Sequence, residues 1–466
     1  MVELTESIQL EISSDFEMSN EFIEKVLNTG QVPIPLSHEI ERPQLITKLA
    51  EQLRKPEKNW LIVHGFPGSG KSRLVADTLR RRPEFIGHFF ERVHWILDSS
   101  TPKQLGTVMT DLLCRLNCGE LTKLSSDESK IYGLREIIRD EIQINPKILL
   151  IIDGVQTEEC VRFCSGFPCP IIFTTCVTDI FSEVENRISE EFGFFKLGKN
   201  EEFTLPEIKE LASKFGFNLT SEETQHFKVN GGNSPALMVK LLNSAKANPW
   251  MIRMYTDDSA SQPIENFKYK SSYSYRSLTE RIDSLLTLVD DSTVNSFSTC
   301  GAVLAPDEWI RTDIFKLIWP VDSCGVESES ELVIQMLSDI DELVNKSLME
   351  KSDNRIPFQS HLIHPIIHSY LQRNALKANP AELMKTVELL RLRLKQRVVL
   401  PGRNSDYGMK EGIIYDYYEG HSKQLEALAR KSRKEIEERR SQLETSQVTN
   451  SVSWLQWLKG LIKLGF

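Results

Sequence analysis

The run Gly65-Phe66-Pro67-Gly68-Ser69-Gly70-Lys71-Ser72 carries the clearest chemistry in this chain of 466 residues. Its spacing, G-x-x-x-x-G-K-[ST], is that of a phosphate-binding loop. Gly65, Gly68 and Gly70, with Ser69 between them, let successive backbone N–H groups turn inward as a nest of donors for phosphate oxygens. The helix that starts there adds the positive end of its dipole. Lys71 brings a point charge to the outer phosphates, and the Ser72 hydroxyl is a ligand for Mg²⁺. A metal held in this way needs an acid at the end of a neighbouring buried strand. In KILLIIDGV that acid is Asp153, which ends the most apolar strand of the chain. Such a loop serves either an engine that hydrolyses nucleotide or a switch that holds it.

Other reactive side chains form weaker patterns. Cys160, Cys164 and Cys169 do not have the C-x₂-C spacing of a zinc site and read as thiols on a helix and its exit. His361, His364 and His368 stand at i, i+3 and i+7, which would place them on one face of a helix. A core helix explains them better than a metal site. Cys176 lacks the base and orienting group of a nucleophile. Eight cysteines without a dense framework point to reduced thiols and a cytoplasmic protein. The net charge of −10 and the acid-rich DELVNKSLMEKSD argue against nucleic acid as a partner. Neither a basic, apolar start nor a run of about 20 apolar residues is visible, so no signal peptide or membrane span is expected. The end of the chain is amphipathic: Trp454, Leu455, Trp457, Leu458, Leu461 and Ile462 oppose Lys459 and Lys463. This pattern favours docking on the chain itself. Self-assembly, a partner, or membrane contact through this tail alone are the other readings.

The elements that must position the loop follow from hydrophobic patterning. Strands are predicted at Trp60–His64, Val93–Leu97, Ile148–Asp153, Ile171–Thr175 and, more weakly, Phe192–Leu197. Runs such as ILLII are apolar without alternation, as strands covered on both faces should be. Helices at about 71–81, 101–117 and 129–143 fill the gaps, which gives an α/β fold with a parallel sheet. A short helix capped by Ser19 and stopped at Gly30 precedes them. Residues 203–245 read as helices, and 251–284, polar and tyrosine-rich, as a linker. Helices and short strands (SLMEK, IPFQS) occupy 285–373, and a charged helical region follows.

The segments VHGFPGSGKSRLVADTL, ILLIIDGVQTEE, IIFTTC, GGNSPALMVKLL, YSYRSL, WPVDSC and HPIIHSYL occur in this order. Together they resemble the family of the apoptotic protease-activating factor and the nematode cell-death activator. These proteins share with plant resistance proteins the NB-ARC module of the STAND class of phosphate-loop switches. The resemblance runs from about Gly30 to Gln372. It implies a short N-terminal segment (1–34), a P-loop nucleotide-binding α/β domain (35–200), a small helical domain (201–250), a linker (251–284), a winged-helix domain (285–373) and a C-terminal helical domain (374–466). It also implies binding of ATP or ADP with Mg. The adenine would lie against Pro235 on one side and Ile40 and Arg42 on the other. His364, in Ile363-His364-Pro365, would sense the ADP phosphate. Implied partners are apoptotic regulators, caspase-type proteases and further copies of the chain in a ring, in the cytoplasm or at the mitochondrial periphery.

Departures from the family pattern bear on mechanism. The first 34 residues hold two helices at most, too few for the six-helix caspase-recruitment bundle, so direct recruitment of caspases is not expected. Gly154 stands where a second acid usually polarises the attacking water, and Cys176 where an arginine usually meets the γ-phosphate. Binding without brisk turnover is the expectation. A regulatory or decoy relative, and a ring-forming ATPase, are the alternative readings.

Overall fold

The computed structural model describes residues 20–55, 60–97, 102–116, 128–182, 192–249, 251–256, 268–270, 275–304, 309–319, 329–352, 359–378 and 380–398. The amphipathic tail at 454–466, most of WPVDSC and the charged segment beyond 398 lie outside them. The described residues fall into two compact units. One comprises the described residues up to 256 together with 268–278 and 345–347; the other comprises 279–344 and 348–398.

The first unit is built on β1 (Trp60–Gly65), β2 (Arg92–Leu97), β3 (Ile148–Val155), β4 (Ile171–Thr175) and β5 (Phe192–Leu197). They form a parallel sheet in the order β2-β3-β4-β1-β5. Because the strands are apolar on both faces, each face needs a cover of helices. On one side α1 (Asn20–Thr29), α2 (Pro43–Leu53) and α3 (Lys71–Arg81) bury Leu27, Leu49 and Leu79 against Val63 and Ile151. On the other, α4 (Pro102–Arg115), α5 (Glu128–Ile144) and α6 (Glu158–Cys164) bury Leu112, Ile138 and Val161 against Ile62, Leu150 and Phe173. The buried Cys160, Cys164 and Cys169 belong to this second layer as apolar side chains. No group of three or more metal-binding side chains occurs among the described residues.

Four helices follow: α7 (Leu205–Lys214), α8 (Ser221–Asn230), α9 (Pro235–Ala247) and α10 (Met251–Thr256). The first two start with reciprocal capping boxes, Thr204 with Glu207 and Thr220 with Glu223. Where the sequence suggests an extended connection after 250, the structure has α10, an antiparallel pair β6 (Lys268–Lys270) and β7 (Tyr275–Ser277), and the start of α11 (Leu278–Leu286). Two short runs that cannot bury a face alone satisfy each other's backbone groups by pairing.

The second unit contains α12 (Asp291–Val303), β8 (Ile310–Arg311), α13 (Thr312–Phe315), α14 (Glu329–Asn345), β9 (Met349–Lys351), β10 (Ser360–Ile363), α15 (Pro365–Ala378) and α16 (Pro380–Val398). Its antiparallel sheet has the order β8-β10-β9. Phe297, Phe315, Ile340, Leu362 and Ile366 are fully buried in it. The Trp319 indole donates to Asp339 at 3.1 Å, and the Tyr370 hydroxyl donates to Asp283. The three histidines at i, i+3 and i+7 do not share a helix face: His361 is on β10, His364 precedes α15, and only His368 is on that helix. Pro365 is the cause, since a proline has no amide to continue a helix through but suits its first position.

Candidate nucleotide-binding site

The run Gly65–Ser72 closes β1 and opens α3 at the carboxyl end of the sheet, between β4 and β5. Gly65 passes so close to β5 that a Cβ there would sit 2.2 Å from the Leu197 carbonyl oxygen. Gly70 has φ +93°, and a Cβ built on it would meet nothing within 4 Å, so open space faces the nest. The Ser69 hydroxyl, on a residue 6% exposed, is buried without a hydrogen-bond partner. Lys71, 8% exposed, donates to the Gly65 and Phe66 carbonyls at 2.8 and 2.9 Å and to the Cys176 sulfur at 3.3 Å. Burial, with the Lys196 and Lys71 ammonium groups, pushes His64 just below the loop down to about 4, so that ring is neutral at physiological pH.

The acid the spacing calls for is in reach. The Ser72 hydroxyl donates to Asp153 Oδ1 at 2.5 Å, and Thr174 donates to the same oxygen. Two hard oxygens at the loop's end are a donor set suited to Mg²⁺. Gly154 is more than a missing acid. Pairing between β3 and β4 shifts register between Asp153 and Val155, so Gly154 is the extra residue of a bulge, with φ +81° and its amide donating to Thr174 Oγ1 at 2.9 Å. A side chain there would be strained, which ties the glycine to local backbone geometry.

A cavity of about 330 Å³ extends from Gly68, Ser69 and Gly70 to Ile40, Arg42 and Pro235. It therefore unites the phosphate loop with each residue that the resemblance assigned to the base. Arg42 lines it, but its guanidinium is engaged: it donates to the Glu201 and Glu202 carbonyls at 2.6 and 3.0 Å, pairs with Glu207 at 3.3 Å and lies over the Phe203 ring. Arg42 thus ties the entry segment before α2 to the start of α7, and Ile40 is left to offer apolar surface. The N-terminus of α9 is joined to the loop as well. Ser234 caps α9, accepting from the Leu237 amide at 3.4 Å, while its hydroxyl donates to the Gly68 carbonyl at 3.3 Å. The Ala236 amide donates to the same carbonyl, also at 3.3 Å.

Sequence reasoning did not single out Ser234, nor the charged trio on the cavity wall, Glu39, Arg73 and Asp77. The S-P-A start of a helix was a signal for the first; the trio had none, because Glu39 is remote in sequence from the other two. His364 belongs to the second unit, where it is buried and its Nδ1 accepts from the Ile366 amide at 3.4 Å, while the cavity is lined by first-unit residues.

Residues 42–214 match the family described as NB-ARC domain, and residues 295–395 match the CED4 winged-helix domain. Cell death protein 4 of Caenorhabditis elegans is 22% identical over 368 residues, covering 76% of this chain and 65% of that protein. Apoptotic protease-activating factor 1 of Homo sapiens is 24% identical over 363 residues, covering 73% of this chain and 26% of that protein. The chain thus spans just under two thirds of the nematode relative and about a quarter of the human one. Among solved structures, the Aeropyrum pernix ORC2 protein in ADPNP and ADP complexes covers 71% of this chain and 91% of its own at 13% identity. The TM-score of that match is 0.36.

Proposed function

We propose that this chain, which carries an NB-ARC domain and a CED4-type winged-helix domain and is a homologue of cell death protein 4 and apoptotic protease-activating factor 1, is an adenine-nucleotide switch. In this reading it binds ATP or ADP with Mg and regulates assembly of a caspase-activating complex in programmed cell death. The observation that carries it is the cavity that joins the phosphate loop to Ile40 and Pro235, with α9 hydrogen-bonded to the loop through Gly68.

The loop amides and Lys71 hold the phosphates, with the buried Ser69 hydroxyl as a further donor. Ser72 and Asp153 hold Mg²⁺, which when bound neutralises phosphate charge. Lys71, which donates to the Gly65 and Phe66 carbonyls, would hold the phosphate oxygens with its ammonium group. Ser234, Pro235 and Ala236 sit over Gly68, so a change in how the nucleotide fills the nest moves the start of α9. Differential contact of this kind is what lets a ligand shift a conformational equilibrium. His364 is the proposed reporter of the ADP phosphate from the winged-helix part. Turnover is slow in this reading: Gly154 lies in a bulge without a side chain to orient water, and the Cys176 thiol cannot supply the charge of an arginine.

Sedimentation of the full chain loaded with ADP or with Mg–ATP tests the switch. The ATP form should assemble into a larger species and the ADP form should not, and Lys71→Ala should abolish the difference. Identical sedimentation in both nucleotides would rule out the switch reading.

A further inference from the structure

One wall of the cavity is held in a different way from its neighbours. On one side α3 and α9 line it, helices that bury apolar faces of their own. The entry segment 33–42 brings Leu36, His38, Glu39, Ile40 and Arg42 to the same cavity with neither helix nor strand. Between the buried Val32 and Ile40 no residue of it is buried, and Ile34 and Leu36 are 72% and 51% exposed. A stretch with so little apolar burial opens at small cost in free energy. Pro33 and Pro35 have no amide to give to a ladder, so the carbonyls here are left to side-chain donors.

Those donors are arginines of α3. Arg73 Nη1 donates to the Ile34 carbonyl at 2.7 Å, and Nη2 donates to the Glu39 carboxylate. Its Nε lies 2.9 Å from Asp77 Oδ1, which fixes the guanidinium on its own helix. Glu39 is folded back on the segment: its carboxylate accepts from the Leu36 amide at 3.2 Å, and its amide donates to the Leu36 carbonyl at 3.0 Å. One guanidinium therefore grips the turn 34–39 at both ends. About two turns along α3, Arg80 donates to the Val32 and Pro33 carbonyls, each at 3.1 Å.

We propose that the entry segment is the gate of this cavity and that Arg73 is the positioning residue that keeps it shut. Nucleotide passes when the Ile34 and Glu39 contacts with Arg73 part. This rests on the nucleotide reading of the cavity and adds to it the route by which the ligand enters and leaves. The fork of Arg73 suits the task, since it reaches a carbonyl and a carboxylate at once, where an ammonium is a point charge. The far end of the segment is anchored independently, by the buried Ile40 and by Arg42 on the Glu201 and Glu202 carbonyls. Opening thus bends the chain between Val32 and Ile40 and leaves Ile40 in place. A gate lies on the path in both directions, so loosening it raises association and dissociation rates together. Loss of a direct contact with the ligand would raise the dissociation rate alone.

Stopped-flow mixing separates these two roles. The full chain, freed of any co-purified nucleotide, is mixed with Mg–ADP carrying a fluorescent group on its ribose, and unlabelled ADP then displaces it. Arg73→Ala should raise both rates about tenfold, the effect of one lost hydrogen bond to a charged group, and change their ratio by less than about threefold. Arg73→Lys should fall between the two. Faster dissociation at an unchanged association rate would make Arg73 a ligand contact and overturn the gate, as would two unchanged rates. Amide exchange of the unmodified chain gives a reading that does not depend on how the variant folds. The amides of residues 36–39 should exchange faster than those of α3, and protection equal to that of α3 would overturn the gate. In Arg73→Ala the gain in exchange should be confined to the entry segment. Failure of the unmodified chain to bind ADP would overturn the nucleotide reading and the gate with it.

Discussion

At the loop end of the cavity one contiguous run, Gly65–Ser72, supplies backbone nest, lysine and the hydroxyl proposed for the metal, with Asp153 added from β3. At the end proposed for the base four separated segments meet: the entry segment with Glu39 and Ile40, the first two turns of α3 with Arg73 and Asp77, Phe203 just before α7, and the start of α9 with Ser234 and Pro235. The first arrangement makes the phosphate contacts depend on local backbone geometry alone. The second makes the base contacts depend on how helices and loops close on one another. The two ends share one carbonyl, that of Gly68, which belongs to the loop and accepts from Ser234 and Ala236; in the proposed reading it links nucleotide identity to helix position.

The strongest way to break this contrast is Lys71→Ala. It removes a charged donor from the phosphate end and should weaken ATP and GTP alike by a hundredfold or more, about 3 kcal/mol at the upper range for hydrogen bonds to charged groups. Titration with both nucleotides checks it, and a loss confined to one base would deny that the two ends act separately.

The two ends should also answer pH in opposite directions. His64, under the loop, is lowered to about 4 from an unfolded value near 6.5. The unfolded chain therefore takes up the proton first, so His64's contribution to stability is complete above pH 6.5 and is lost as pH falls toward 4. That loss amounts to up to about 3 kcal/mol. Asp77 is raised, so its contribution is present at low pH and is lost as pH rises through about 8. Between about pH 4 and 6.5 the two trends offset each other, so denaturant midpoints of the nucleotide-free protein should fall as pH rises from 6.5 through about 8. Asp77→Asn should remove that alkaline fall and uncover an acid one, which His64→Gln should abolish.

Arg42→Ala removes the clamp on the Glu201 and Glu202 carbonyls and on Glu207, and should cost about 2 kcal/mol of stability. Arg42→Lys should recover little of it, since one ammonium cannot make the forked contacts. Urea unfolding reads both variants. The smallest effect expected is that of Ser234→Ala, about 1 kcal/mol for a lost N-cap. Nucleotide should change the amide exchange of α9 less in this variant than in the parent, because one of the two bonds to Gly68 is gone.

What was legible in the sequence follows the same division. The loop, the buried strands and Asp153 could be read because each is a local pattern whose chemistry lies in adjacent residues. Ile40, Arg42 and Pro235 entered only through family resemblance. The structure lines the cavity with all three but turns the Arg42 guanidinium to backbone carbonyls. Glu39, Arg73 and Asp77 were not legible, since charged residues on a helix and a loop ordinarily mean a solvated face, and only the fold brings them to one wall. Gly154 read as a lost acid because spacing does not reveal a bulge, and its φ of +81° is a property of the β3–β4 register.

The central claim is that this cavity holds one adenine nucleotide by its phosphates. The most direct test is to purify the full chain without added nucleotide, denature it, and identify and count what is released. The account predicts close to one ADP or ATP per chain, and none from Lys71→Ala. Protein that releases no nucleotide, and whose melting temperature is unmoved by Mg–ATP, would contradict it.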